Sequence, residues 1–338
     1  MKSHWPIVLT LIFIAACERT NEPLPIPAEP PPAPLTTSAQ IDTRALWLNG
    51  VDYWRAAHQG SKALQQQLEQ FLAEPGDDTL QAAREAWHMA HKPIAAAQPF
   101  AALSSSNPGL FAKLDRTWRA IDVHPVQPGY LDSIDGYPFS GIVNDISLTI
   151  NQRTLREQHG FTDASEATLG LHVLEFLLWG ENAGRHYGDF IQQEASDNPD
   201  LSIVNLPQNR RRDLLKLTSV LLTDDLQRLV EAWQDPQSPL ANGYFTLPED
   251  SRILLWQQAF IVNLQEADNH CVFSAEPCPT LGATVRALSD ILDAHPGLVA
   301  NASDWQAQAA ELLAALDDPH STLDTTATVA QLQAAFSP

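Results

Sequence analysis

The sequence predicts an all-α protein built as two antiparallel helical bundles related by an internal duplication. Three observations predict it. Apolar residues recur at helical spacing: Leu64, Leu68, Phe71 and Leu72 fall at i, i+4, i+7 and i+8, and so do Leu222, Leu226, Leu229 and Val230, with Trp233 continuing the stripe. Proline- and glycine-rich breakers then separate the periodic stretches, among them "EPGDD" at 74–78, "HPVQPG" at 124–129, "DNPD" at 197–200 and "DPQSP" at 235–239. No segment shows the two-residue alternation of a half-buried strand.

Taken in order, these signals place helices near 40–60, 77–97, 108–120, 138–156, 164–179, 206–234, 248–268, 281–293 and 302–316. "REAW" at Arg84–Trp87 echoes "VEAW" at Val230–Trp233, each closing an amphipathic stretch. That echo suggests the duplication and sets the bundles at 39–195 and 203–336.

The N-terminus precedes both bundles. "MKSHWPIVLTLIFIAACERT" has a short basic start and an apolar run too short for a permanent membrane helix, the shape of a secretory signal over 1–16. Small residues lead to Cys17, as at the end of a bacterial lipoprotein signal, and an ordinary cleaved signal with an incidental cysteine is the alternative. Acylation of Cys17, palmitate included, would anchor the chain to a membrane through lipid. Glu18 rather than aspartate follows the cysteine, which favours the outer membrane, facing the periplasm. Proline then dominates the linker at 17–38, a polyproline II stalk advancing about 3.1 Å per residue.

A formal charge of −21 excludes nucleic acid as a natural partner and concentrates cations around the protein. Besides Cys17, only Cys271 and Cys278 remain. Across a short proline-containing loop in an exported chain they read as a disulfide, with a metal knuckle using His270 as the other reading.

The chemistry concentrates in "TLGLHVLEFLLWG" at 168–180. Asp163 and Glu166 have capping-box spacing, so a helix is expected to start there. On such a helix His172 and Glu175 lie one turn apart on one face, and Gly170 sits inside it at a cost of about 1 kcal/mol relative to alanine. Leucines on the other faces imply burial all round, where a carboxylate needs a hydrogen bond, an ion pair or a bound cation. Imidazole with carboxylate is a part-set of ligands for zinc, copper or iron. A structural His–Glu pair is the competing reading. Asp122, His124 and Asp132 surround the proline break upstream, and Arg185 and Asp189 end a glycine-rich loop downstream.

"GLHVLEFLLWG" resembles the Gly-x-His-x-x-Glu signature of the imelysin family, also called the insulin-cleaving membrane peptidases, and is followed by "RHYGDF", similar to a downstream Arg and Asp-Phe segment. "DVHPVQPGYLD" resembles its Asp-x-x-Pro segment and "AREAWHMAHKP" its Ala-Arg-x-x-Trp stretch. The resemblance implies two duplicated bundles with the His-x-x-Glu helix near their interface, often in exported or lipid-anchored proteins linked to iron uptake or regulation. It makes His172 and Glu175 the metal candidates and Gly170 the motif glycine. Asp122, Arg185, Asp189, Glu266 and His270 are candidates for an additional site or an outer shell. Gln98 stands where many members have glutamate, and Ala275 replaces an acid in "EADNHCVFSAEPC".

The expected function is a lipid-anchored, periplasmic metal-binding protein in iron uptake or homeostasis, working with iron-uptake components. A metallopeptidase and a metal-free scaffold are the alternatives. Catalytic zinc needs three protein ligands, an open position and a base, and no His-Glu-x-x-His helix is present.

Overall fold

The computed structural model describes residues 41–196, 198–267, 280–318 and 320–337. The signal segment, Cys17, the linker, His270, Cys271 and Cys278 lie outside them. The described residues belong to one compact unit. They are helical, with no strand among them, only an isolated bridge between Ile134 and Tyr137. No described helix is long and apolar enough to cross a membrane.

The long helices come first. α1 (Thr43–Ala73) begins where the Asp42 carboxylate accepts the backbone N–H groups of Arg44 and Ala45, a cap that satisfies two orphan donors. It runs unbroken past the expected end near 60, because the 64–72 stripe continues its buried face. α2 (Asp77–Ala101) returns after a three-residue loop and opens with Asp77 and Asp78, acids placed against the positive end of the helix. α3 (Leu103–Ser106) and α4 (Pro108–Arg119) follow. α5 (Pro128–Leu131), α6 (Gln152–Gln158) and α7 (Leu171–Trp179) are short. α8 (Pro207–Gln234), α9 (Pro239–Phe245) and α10 (Glu249–Glu266) lead to α11 (Thr280–Ala294), α12 (Ala302–Asp317) and α13 (Thr325–Ala334).

α1 packs along α2 and α8, α2 also touches α7 and α11, and α10 packs on α3, so helices from both sequence halves share one core. Trp47 of α1 and Trp233 of α8 show how. Each indole N–H donates to the other's carbonyl, at 3.1 and 2.9 Å, and the rings stack 4.2 Å apart. Both large side chains are thus buried with their polar atoms satisfied.

Two expected helices are corrected. Over 138–156 only α6 forms; the preceding residues are turns. Gly141 has φ +82°, and a Cβ there would lie 2.3 Å from the Asp132 nitrogen. The turn carbonyls are satisfied from far away, by the Arg210 guanidinium at the start of α8, which reaches Val143, Ile142, Asp145 and Leu148 at 2.7–2.9 Å. A helix is unnecessary there because the backbone acceptors already have donors.

The expected helix at 164–179 starts only at Leu171. Asp163 and Glu166 do bond as a capping pair would, but they close a turn: the Glu166 carboxylate accepts from the Thr162 and Asp163 N–H groups, and that of Asp163 from Ser165 N–H at 2.9 Å. Gly170 is the N-cap rather than an interior residue, with φ +105°, outside the range of a right-handed helix.

Candidate metal centre

The site is built by the close passage of two chain segments. At Gly170 a Cβ would meet the Ile121 carbonyl oxygen at 2.9 Å, so only glycine lets the backbone through without displacement. Immediately after it, Leu171 N–H donates to that same carbonyl at 2.7 Å. The bond locks the first turn of α7 to the residue before Asp122. The neighbouring side chains then meet: His172 Nε2 lies 3.1 Å from Asp122 Oδ1.

One turn along α7, Glu175 Oε2 lies 2.7 Å from His172 Nδ1. His172 and Glu175 are wholly buried and Asp122 is 7% exposed. Burial alone would strip the proton from this imidazole. The Asp122 and Glu175 carboxylates outweigh it and push the His172 pKa up to about 9. The two carboxylates thus favour the protonated form of the ring.

α2 forms the back wall. Trp87 N–H donates to the Leu171 carbonyl at 2.8 Å, and its ring stands edge-on to His172 at 5.9 Å between centroids. His91, one turn later, lies 5.6 Å from His172, with its Nε2 3.1 Å from the Thr280 hydroxyl. His124 comes within 5.4 Å. His91, Asp122, His124, His172 and Glu175 all have further interactions, so none stands free. Among the described residues, no three His, Cys, Asp or Glu side chains are already arranged to hold a metal ion.

A cleft of about 410 Å³ opens on the Asp122 side. It is lined by Gln98, Asp115, Trp118, Asp122, His124 and Glu266, among others, and Glu175 is not part of its wall. Burial raises the Glu266 pKa, and the charges of Asp122 and Asp115 add to the rise against the opposing pull of Arg119. Glu266 thus faces the same cleft as Asp122.

The sequence model of the Imelysin family matches residues 51–267, the span that holds the whole cluster. The chain belongs to the imelysin family. Its fold is similar to the crystal structure of an imelysin-like protein from Psychrobacter arcticum 273-4 at 2.15 Å resolution. That likeness has a TM-score of 0.54 at 17% identity and covers 89% of this chain and 93% of the other, which speaks for the fold alone. No curated protein matches the sequence.

In this imelysin the remaining candidates divide. Arg185 and Asp189 do not join His172. They sit beyond the far end of α7, where Arg185 lies 3.0 Å from Asp132 and 3.5 Å from Asp189, its guanidinium over the Phe176 ring. Arg211 adds a second pair to Asp132, at 2.5 and 3.0 Å, and donates to the Asp189 carbonyl at 2.8 Å. These contacts fix the loop after α7 to α8. Burial opposes the Asp132 charge, yet Arg211 and Arg185 bring its pKa below the ordinary value.

The sequence did not single out Trp87 and His91 as members of the cluster, or Arg210, Arg211 and Arg212 as anchors of the surrounding loops, the last donating to the Phe190 and Leu72 carbonyls at 2.7 Å. The only signal for the first pair was their i, i+4 spacing inside "AREAWHMAHKP", which puts both on one helix face. For the second it was three consecutive arginines opening a helix, where the helix dipole disfavours cations unless they serve distant acceptors.

Proposed function

We propose that this imelysin binds a metal ion through His172 and Asp122, with Glu175 holding the other edge of the imidazole. The observation that carries the reading is a fully buried histidine clamped by two carboxylates from separate chain segments, one of them opening onto a cleft. The donor set fits. A divalent ion in place of the imidazole proton would put more positive charge beside two buried carboxylates, which burial otherwise penalises.

The two carboxylates lie at opposite ring nitrogens, so they take different parts. Asp122, beside Nε2 and the cleft, would share the ion with His172. Glu175 would keep the Nδ1 proton and so set ring orientation and tautomer, as carboxylates behind metal-bound histidines do. Glu266 and His124 are the candidates to complete the shell, and iron, zinc and copper all accept such ligands. Binding of a cation is also what an acidic exterior favours. We place the protein at the outer membrane, held through Cys17 and facing the periplasm, in iron uptake or homeostasis. The lipoprotein-like signal, the proline stalk and the family resemblance support that assignment.

The test is metal content of the purified mature domain without its lipid. One bound ion of iron, zinc or copper is expected in the wild type, with loss in His172→Ala and Asp122→Asn. Glu175→Gln, which preserves shape, guards against loss through misfolding and should retain a weakened site. Equal metal content in all four proteins would overturn the reading.

A further inference from the structure

Beside the Asp122 cleft runs a second groove of opposite character. It encloses about 490 Å³, and its wall carries Arg116 and Arg119 from α4 and Arg156 from α6 over a floor that includes Val123, Ala164 and Leu169. Arg119, Val123 and Ala164 line both spaces, so the two are neighbours. Three arginines on one groove stand out in a chain with only 20 Lys and Arg against 41 Asp and Glu.

The groove keeps cationic capacity. Arg119 is 3.0 Å from Asp115, and Arg156 is 2.9 Å from buried Asp225, whereas exposed Arg116 makes no ion pair among the described residues. The acid on this wall, Asp163, is engaged by its own turn: its carboxylate accepts from Ser165 N–H at 2.9 Å and Ser165 O–H at 2.6 Å. His159 is held neutral by burial, its Nδ1 accepting from Thr168 N–H at 3.2 Å and its Nε2 facing the Arg119 carbonyl at 3.0 Å. It therefore fixes the turn rather than serving a ligand.

We infer that this groove binds a small polycarboxylate, and that the metal reaches the Asp122 cleft as the complex of such an anion. Guanidinium forks match carboxylates in geometry, and donors spread over two helices suit several carboxylates on one carbon skeleton better than a single compact oxyanion. The apolar floor accommodates that skeleton. An anionic metal complex would be repelled by most of this acidic surface; the arginines reverse the sign of the field locally, next to the carboxylate that would receive the metal. The delivery half of the inference rests on the metal-binding reading above, and the anion site does not.

The experiment is calorimetric titration of the mature unlipidated protein with citrate alone, inorganic phosphate alone, zinc(II) alone and iron(III) citrate. It uses the wild type, Arg116→Gln, Arg116→Glu and His172→Ala. Citrate and iron(III) citrate should bind the wild type and weaken by about tenfold or more in Arg116→Glu, less in Arg116→Gln, since like charge facing the ligand costs most. Zinc(II) alone should be unchanged in both arginine variants and lost in His172→Ala. No citrate binding, citrate binding indifferent to Arg116→Glu, or phosphate bound as tightly as citrate would each overturn the polycarboxylate site. Zinc(II) binding lost in His172→Ala would leave the metal reading standing in those cases. Citrate binding sensitive to Arg116, together with zinc(II) indifferent to His172→Ala, would retain the anion site and overturn metal delivery.

Discussion

Two buried ionic clusters lie at opposite ends of α7, and they differ in one respect. At its start, Asp122 and Glu175 hold a histidine; beyond its end, Asp132 is held by Arg185 and Arg211. Arginine keeps its proton at any physiological pH, so the Asp132 cluster has a single state and works as a fastener. Histidine can give up its proton, so the His172 cluster has two states, and on the proposed reading it exchanges the proton for a metal ion. Burial is nearly equal in the two; the identity of the cation separates a cluster with one charge state from the one proposed to bind metal.

The largest expected effect breaks the fastener. Arg211→Met should destabilise the metal-free protein by about 3–5 kcal/mol in urea unfolding, because Asp132 is then left buried with Arg185 alone. Metal affinity of the folded fraction should stay near wild type. Next comes the passage that builds the other cluster. Gly170→Ala forces a methyl group toward the Ile121 carbonyl at a positive φ, a cost of about 1–3 kcal/mol, and should also lower metal affinity by moving His172 from Asp122. Glu175→Gln sharpens the comparison further. It should weaken metal binding by about 10- to 100-fold in competition titrations while changing stability less than Arg211→Met does.

The smallest effect separates the clusters by pH. The His172 pKa is raised to about 9, so its stabilisation is complete below the ordinary histidine value, declines above it and is lost as pH rises through about 9. The Asp132 pKa is lowered, so its contribution is present above the ordinary aspartate value and is lost as pH falls through the lowered one. Unfolding free energies of Glu175→Gln and Arg211→Met, each measured against wild type across pH, should converge on it at opposite ends of the range.

The same contrast explains what the sequence made legible. The all-α class was legible because stripes such as Leu222, Leu226 and Leu229 are local periodicity. His172 and Glu175 were legible as polar residues in an apolar run. Asp122 was legible only as a candidate: it lies fifty residues upstream at a proline break, and its place against His172 depends on the Gly170–Ile121 contact that brings it alongside. The turns over 138–150 were read as helix because their hydrogen-bond donor, Arg210, is remote in sequence. Arg185 and Asp189 looked like part of one constellation with His172 because sequence proximity does not tell the two ends of a helix apart.

The most direct test of the account is nitrogen NMR of the His172 imidazole near neutral pH, without and with zinc(II). Both ring nitrogens should be protonated in the metal-free protein, and zinc should remove the Nε2 proton while Nδ1 stays protonated against Glu175. A neutral ring in the metal-free protein, or a spectrum indifferent to zinc, would contradict it.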